Sequence, residues 1–187
     1  VGVCKKMNSK NWILLKELVK TDFKLRYQGS VIGYLWSILK PIMLFAVMYM
    51  VFIRFLRFGS DVPHFAVALL LGTTVWGFFS EATSMGMVSI VTRGDLMRKI
   101  SFSKPIIVLS AVTNAFINLC INLIVVLIFA AFNGVTFSLQ MLYLPLLLIE
   151  LLILVVGIAL LLATLFVRYR DLSPVWEVVL QAGMKAT

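Results

Sequence analysis

The chain reads as an all-α membrane protein, a polytopic helical bundle, on three grounds. Four long apolar runs, roughly Gly33–Phe55, Pro63–Met85, Pro105–Phe132 and Met141–Val167, are each long enough to cross a bilayer, because a helix needs about 20 mostly apolar residues to span ~30 Å of hydrocarbon. Hydrophobic residues make up 61% of the chain and charged residues only 13%. A soluble domain carries about 25% charged residues, and a soluble core of this size could not hide so much apolar surface. Finally, the links between runs alternate between heavily and lightly basic. Lys5, Lys6, Lys10, Lys16, Lys20, Lys24 and Arg26 precede the first run, Arg93, Arg98, Lys99 and Lys104 separate the second and third, and Arg168 and Arg170 follow the fourth. Only Arg54 and Arg57 lie at the first-to-second link, and no basic residue lies in 133–140. Basic loops stay inside, so the first group faces the cytoplasm together with the N-terminus. The net charge of +9 therefore records topology, with contact to anionic lipid, and not nucleic-acid binding.

The elements follow in order. Asn8 or Ser9 caps a helix expected over 11–27, with Trp12, Leu15, Val19 and Phe23 along one face and Lys16, Lys20 and Lys24 on the other. Such a helix lies in the plane of the membrane surface or against a partner protein. Span one, 33–55, opens with interfacial Tyr34 and Trp36. Lys40 can snorkel to the headgroups, and Pro41 is tolerated in the first turns. Span two, 63–85, ends near Glu81. The polar link 86–104 carries a short amphipathic segment, Arg93–Ile100. Span three, 105–132, and span four, 141–167, form a hairpin. A fifth span begins near Pro174. The chain opens without Met and stops inside that run at Thr187, so more chain is expected beyond it, and the basic leader lacks the pattern of a signal peptide.

Catalytic chemistry is absent from the motifs: no phosphate loop, no His-Glu-x-x-His and no Gly-x-Ser-x-Gly. His64, the one histidine, is a loop residue, and Cys4 and Cys120 have no metal-ligand spacing. No catalytic residue and no metal site is expected. The polar residues inside the spans are more informative. Glu150 lies about nine residues into span four, ~13 Å deep, where a charge costs about 2.5–3.5 kcal/mol unless it faces protein or water. Asn114, Asn118 and Asn122 form a stripe at four-residue spacing on span three, expected to face Glu150 across the hairpin, either as helix–helix glue or as a site for substrate or protons. Lys185, at ~16 Å into span five, joins this intramembrane polar cluster by depth. Phe45, Tyr49 and Phe52 share one face of span one, fitted to packing or to lining a glycan path.

Several of these residues fall in stretches that resemble a known family. Asp22–Phe23–Lys24–Leu25–Arg26–Tyr27–Gln28–Gly29–Ser30, then Gly33–Tyr34–Leu35–Trp36–Ser37 and Pro41, open the resemblance, which continues through Leu71–Gly72 and Trp76–Gly77–Phe78–Phe79. It returns at Gly94–Asp95–Leu96, Arg98–Lys99 and Ser103–Lys104–Pro105, and at Phe166–Val167–Arg168–Tyr169–Arg170–Asp171–Leu172. Together these resemble the ABC-2-type permeases that export polysaccharides, the O-antigen and teichoic-acid exporter group. The resemblance implies six membrane helices in the bacterial inner membrane, a homodimer around a central channel, and two copies of a separate ATPase that holds ATP and Mg2+, with no cofactor in this chain. It implies a lipid-linked glycan as cargo. It makes 11–27, with Trp12, Leu15, Val19, Phe23 and Arg26, the interface helix. It makes Arg93, Gly94, Asp95, Leu96, Arg98 and Lys99 the segment that receives the ATPase stroke. Lys185 departs from the apolar or aromatic residues usual there. Export of a drug or small lipid, a non-transporting scaffold, and a proton-coupled transporter built on Glu150 are the competing functions, the last disfavoured because no inverted repeat is present.

Overall fold

The structure, a computed structural model, describes residues 9–27, 65–94, 104–132 and 143–186, together with 39, 42–43, 46–47 and 50. Among these the backbone is helix and turn, without a strand. Five helices follow in order: α1 Ser9–Tyr27, α2 Phe65–Thr92, α3 Pro105–Phe132, α4 Leu144–Arg168 and α5 Leu172–Ala186. Within the described residues Pro105–Ala131 and Leu144–Arg168 are long and apolar enough to cross a membrane.

Helix α2 differs from the expected span in one instructive way. It does not end near Glu81 or at residue 85 but runs to Thr92, so the first part of the expected 86–104 link is helical. Met87 and Ile90 are buried and prolong the packed face of the helix. At 1.5 Å per residue, α2 and α3 are each ~42 Å long, beyond the ~30 Å of hydrocarbon. Each is thus longer than a perpendicular crossing needs.

The core is a seam of small residues. Ala82 on α2, Ala115 on α3, and Ala159 and Ala163 on α4 are buried in one cluster with Val108, Val112, Leu119 and Val155. Gly86 completes the seam: a Cβ there would lie 2.8 Å from the Ala159 Cβ and 3.5 Å from Val108 Cγ1. Small side chains let helix axes approach, which is how helices associate where lipid removes the ordinary hydrophobic driving force. The outward faces are the reverse. Ile124 and Ile128 on α3, Ile149 and Ile153 on α4, and Val175 and Val178 on α5 are exposed, an apolar belt that suits lipid and would not stay dispersed in water.

The Arg168–Asp171 stretch makes the tight turn between α4 and α5. Tyr169 is extended, with φ −124° and ψ 98°, and its N–H donates to the Leu165 carbonyl at 2.8 Å. The Arg168 guanidinium lies over the Tyr169 ring at 5.7 Å. Helix α5 starts at Leu172, ahead of the expected Pro174, which falls in its first turn where a missing N–H costs nothing. It returns along α2: the Trp176 indole Nε1–H donates to Thr83 Oγ at 3.1 Å. A Cβ on Gly183 would lie 2.6 Å from the Trp76 ring.

Candidate functional site

Polar side chains gather in layers that descend from the end where α2 stops and α3 starts. The outermost layer joins three helices. Arg93, just past the end of α2, donates Nη1–H to Ser110 Oγ on α3 at 3.0 Å and forms an ion pair with Asp22 Oδ2 on α1. Asn114 Nδ2–H donates to the same Asp22 oxygen at 3.2 Å, and the Ser110 hydroxyl donates onward to the Ile107 carbonyl at 2.8 Å. The two charged side chains are each 21% exposed, and Ser110 and Asn114 are buried. This junction is mostly dry, so the charge-assisted bonds in it are stronger than surface pairs.

One layer deeper, Asn118 Nδ2–H donates to Glu81 Oε2 at 2.9 Å. Glu81 lies ~16 Å along α2 from its Thr92 end and Asn118 ~20 Å along α3 from Pro105. One turn further along α3 the buried Asn122 Oδ1 receives no hydrogen bond, and neither does Asn114 Oδ1 in the outer layer. The Thr83 hydroxyl, which accepts from Trp176, donates to the Phe79 carbonyl at 2.8 Å. Trp176 also stacks at 6.5 Å from Phe79, itself 5.5 Å from Trp76.

The asparagine stripe therefore turns toward α1 and α2, and its expected pairing with Glu150 is not what the structure shows. Helix α4 begins at Leu144, which places Glu150 only ~9 Å into it. Its buried line is Val155, Ala159, Leu162 and Ala163. At 100° per residue Glu150 points ~180° away from Ala159, and it is exposed. Helix α4 is apolar all round, so no periodicity revealed its inner face. Two other carboxylates meet the stripe: Asp22 on α1 at Asn114, and at Asn118 Glu81, the one charged residue between His64 and Arg93. Sequence reasoning passed over Glu81 because span two was expected to end there.

On α1, Leu15 is buried, Val19 and Phe23 are half-buried, and Trp12 is exposed, while Lys16, Lys20 and Lys24 point outward. The apolar face thus packs against α3 in its middle and leaves Trp12 free. Asp22 and Ser110 were missed because their partners lie far away in sequence. The channel candidates Phe45, Tyr49 and Phe52 and the coupling residues Asp95, Leu96, Arg98 and Lys99 lie outside the described residues, as do the side chains of Arg26 and Lys185. Gly94 closes the last described turn after α2.

An all-helical bundle with a lipid-facing apolar belt and a polar junction at one end defines a polytopic membrane protein. The ABC-2 type transporter family matches residues 13–185 of the chain, which belongs to that family. Two relatives from Klebsiella pneumoniae, each named an O-antigen export system permease protein RfbA, are 28% and 29% identical over 161 residues, covering 86% of this chain and 61% of theirs. A relative of the same name from Myxococcus xanthus is 27% identical over 174 residues, 93% of this chain and 66% of its own. The chain thus spans between three fifths and two thirds of the length of the curated relatives it matches.

Proposed function

We propose that this chain forms part of the permease subunit of an ATP-driven exporter that moves a lipid-linked polysaccharide across the bacterial cytoplasmic membrane. The observation that carries it is the family match over 13–185 together with relatives named as O-antigen export permeases. In this reading the permease pairs with a second copy around the glycan path, and each copy engages one ATPase, which binds ATP and Mg2+. The N-terminus and the 93–100 segment face the cytoplasm, in keeping with the positive-inside asymmetry. The chain makes and breaks no covalent bond: it supplies the conduit, with Phe45, Tyr49 and Phe52 along it, and Arg93, Gly94, Asp95, Leu96, Arg98 and Lys99 receive the ATPase stroke. Helix α1 rides at the membrane surface beside the mouth of the path.

Two supports come from the fold. Aromatic and small residues pack α2 against α4 and α5, and a charged junction among the described residues joins that bundle to α1 next to the proposed coupling segment. The test is capture of the ATPase encoded beside the full permease gene, with surface polysaccharide as second readout in cells lacking their own permease. The wild-type permease is expected to retain the ATPase and restore surface glycan; Arg98→Glu with Lys99→Glu abolishes both. If the charge-reversed protein binds and exports normally, 93–100 is not the coupling segment. If the wild type captures no ATPase, the exporter function itself falls.

A further inference from the structure

We propose that Asp22 and Arg93 form a latch that makes α1 move as one body with the coupling segment and α3, so that Asp22 is a positioning residue for coupling hydrolysis to export. This rests on the exporter function above and adds a residue, a partner and a mechanical role to it.

The argument starts from where the charges sit. Arg93 is the first residue beyond α2 and the first of the proposed coupling segment. Its guanidinium is a rigid planar fork able to hold two acceptors at once, and here it does: Ser110 Oγ on α3 and Asp22 Oδ2 on α1. Asp22 in turn holds Asn114 on α3. Three elements distant in the chain are thus tied through one carboxylate and one guanidinium. The pair is four-fifths buried, so salt screens it less than a surface pair, and its geometry is fixed by neighbours that are themselves buried. Ser110 and Asn114 lie ~8 Å and ~14 Å into α3 from its start at Pro105, at the end beside Arg93. Helix α1 also packs on α3 with Leu15 buried and Val19 half-buried, and apolar packing, being non-directional, does not by itself fix the helix along its axis. The ion pair removes that freedom. A displacement delivered to Arg93 is then passed to α1 and α3 together, whereas without the pair it is absorbed at the α1–α3 contact.

The experiment uses the full permease with its ATPase in cells whose own permease is deleted, and reads co-purified ATPase (assembly) and surface polysaccharide (export) side by side. Asp22→Asn, on α1 and outside the segment proposed to meet the ATPase, is expected to keep assembly and to cut export about tenfold, within the range of couplings between directly bonded residues; Arg93→Gln, inside that segment, is expected to cut export at least as far. Asp22→Glu keeps the charge and restores most export. The charge swap, Asp22→Arg with Arg93→Asp, recovers export relative to either reversal alone, because the orphaned Asn114 Oδ1 can turn to accept from the new guanidinium. If Asp22→Asn does not accumulate in the membrane, Arg93→Lys carries the same test, since it keeps the charge but replaces the two separate nitrogens that hold Ser110 and Asp22 with one point donor on a differently shaped stem. Assembly and export falling in parallel would make the pair a folding contact only and overturn the latch. So would unchanged export in the single variants, or a swap no better than single reversals. In each of those cases a wild type that exports leaves the exporter function standing. A wild type that neither assembles nor exports removes both.

Discussion

The seam around Gly86 and the junction around Arg93 lie on the same helix, under two turns apart, and hold it by opposite means. At Gly86, α2 meets α4 by shape: a Cβ there would lie 2.8 Å from the Ala159 Cβ. At Arg93, α2 meets α1 and α3 through a guanidinium, a carboxylate, a hydroxyl and an amide. Steric contact of the first kind has one solution, because dispersion falls away within an ångström of its optimum. A polar junction of the second kind fixes direction as well as distance, because each hydrogen bond weakens steeply away from its preferred angle. Helix α2 is thereby held by shape at Gly86 and, just past its end at Arg93, by directed bonds to α1 and α3, the arrangement expected of an element that passes motion on from its tip.

Four substitutions break or sharpen that contrast, the largest effect first. Gly86→Leu drives a side chain into Ala159, whose Cβ already lies 2.8 Å from the position of an added methyl. A loss of about 3 kcal/mol, read as failure to resist thermal unfolding in detergent, is expected, and an unchanged melting curve would mean that α2 and α4 do not touch there. Gly183→Ala pushes against the Trp76 ring at 2.6 Å. It should cost about 1–2 kcal/mol, with Trp76→Leu in the same protein recovering part of the loss; no recovery would refute the proposed contact. Asn118→Leu removes the donor to Glu81 and is expected to cost about 1 kcal/mol, within the ~0.6–1.7 kcal/mol of interhelical hydrogen bonds in membranes. A double-mutant cycle with Glu81→Gln checks it, additivity being the adverse result. Glu150→Gln should shift stability by less than about 0.5 kcal/mol, because Glu150 points away from the bundle; a large loss in the same unfolding assay would put it back in the core.

Much of the fold was legible because its signals are properties of short stretches. The helical membrane class followed from run length and from the sparseness of charge, and the break between α4 and α5 from a polar cluster between two apolar runs. The candidate site was legible only in part. The asparagine stripe was visible as a period of four, and Arg93 as a charge beside a span, but neither carries its partner's address. The expectation that Glu150 faced the stripe failed at one identifiable point: in a helix apolar on every side, a buried face and a lipid face use the same residues. Only Ala159 and Ala163 marked the inner side of α4, and alanine is too common in membrane helices to be read as a seam in advance.

What the linear order of residues settles here is the helical membrane class and where along the chain the basic charge falls, because run length and sparseness of charge are properties of each segment separately. What required the folded bundle is which carboxylate the asparagines meet and which helix the guanidinium holds. Those choices depend on the rotation of each helix about its own axis, and that rotation is set by where glycine and alanine let two backbones come close.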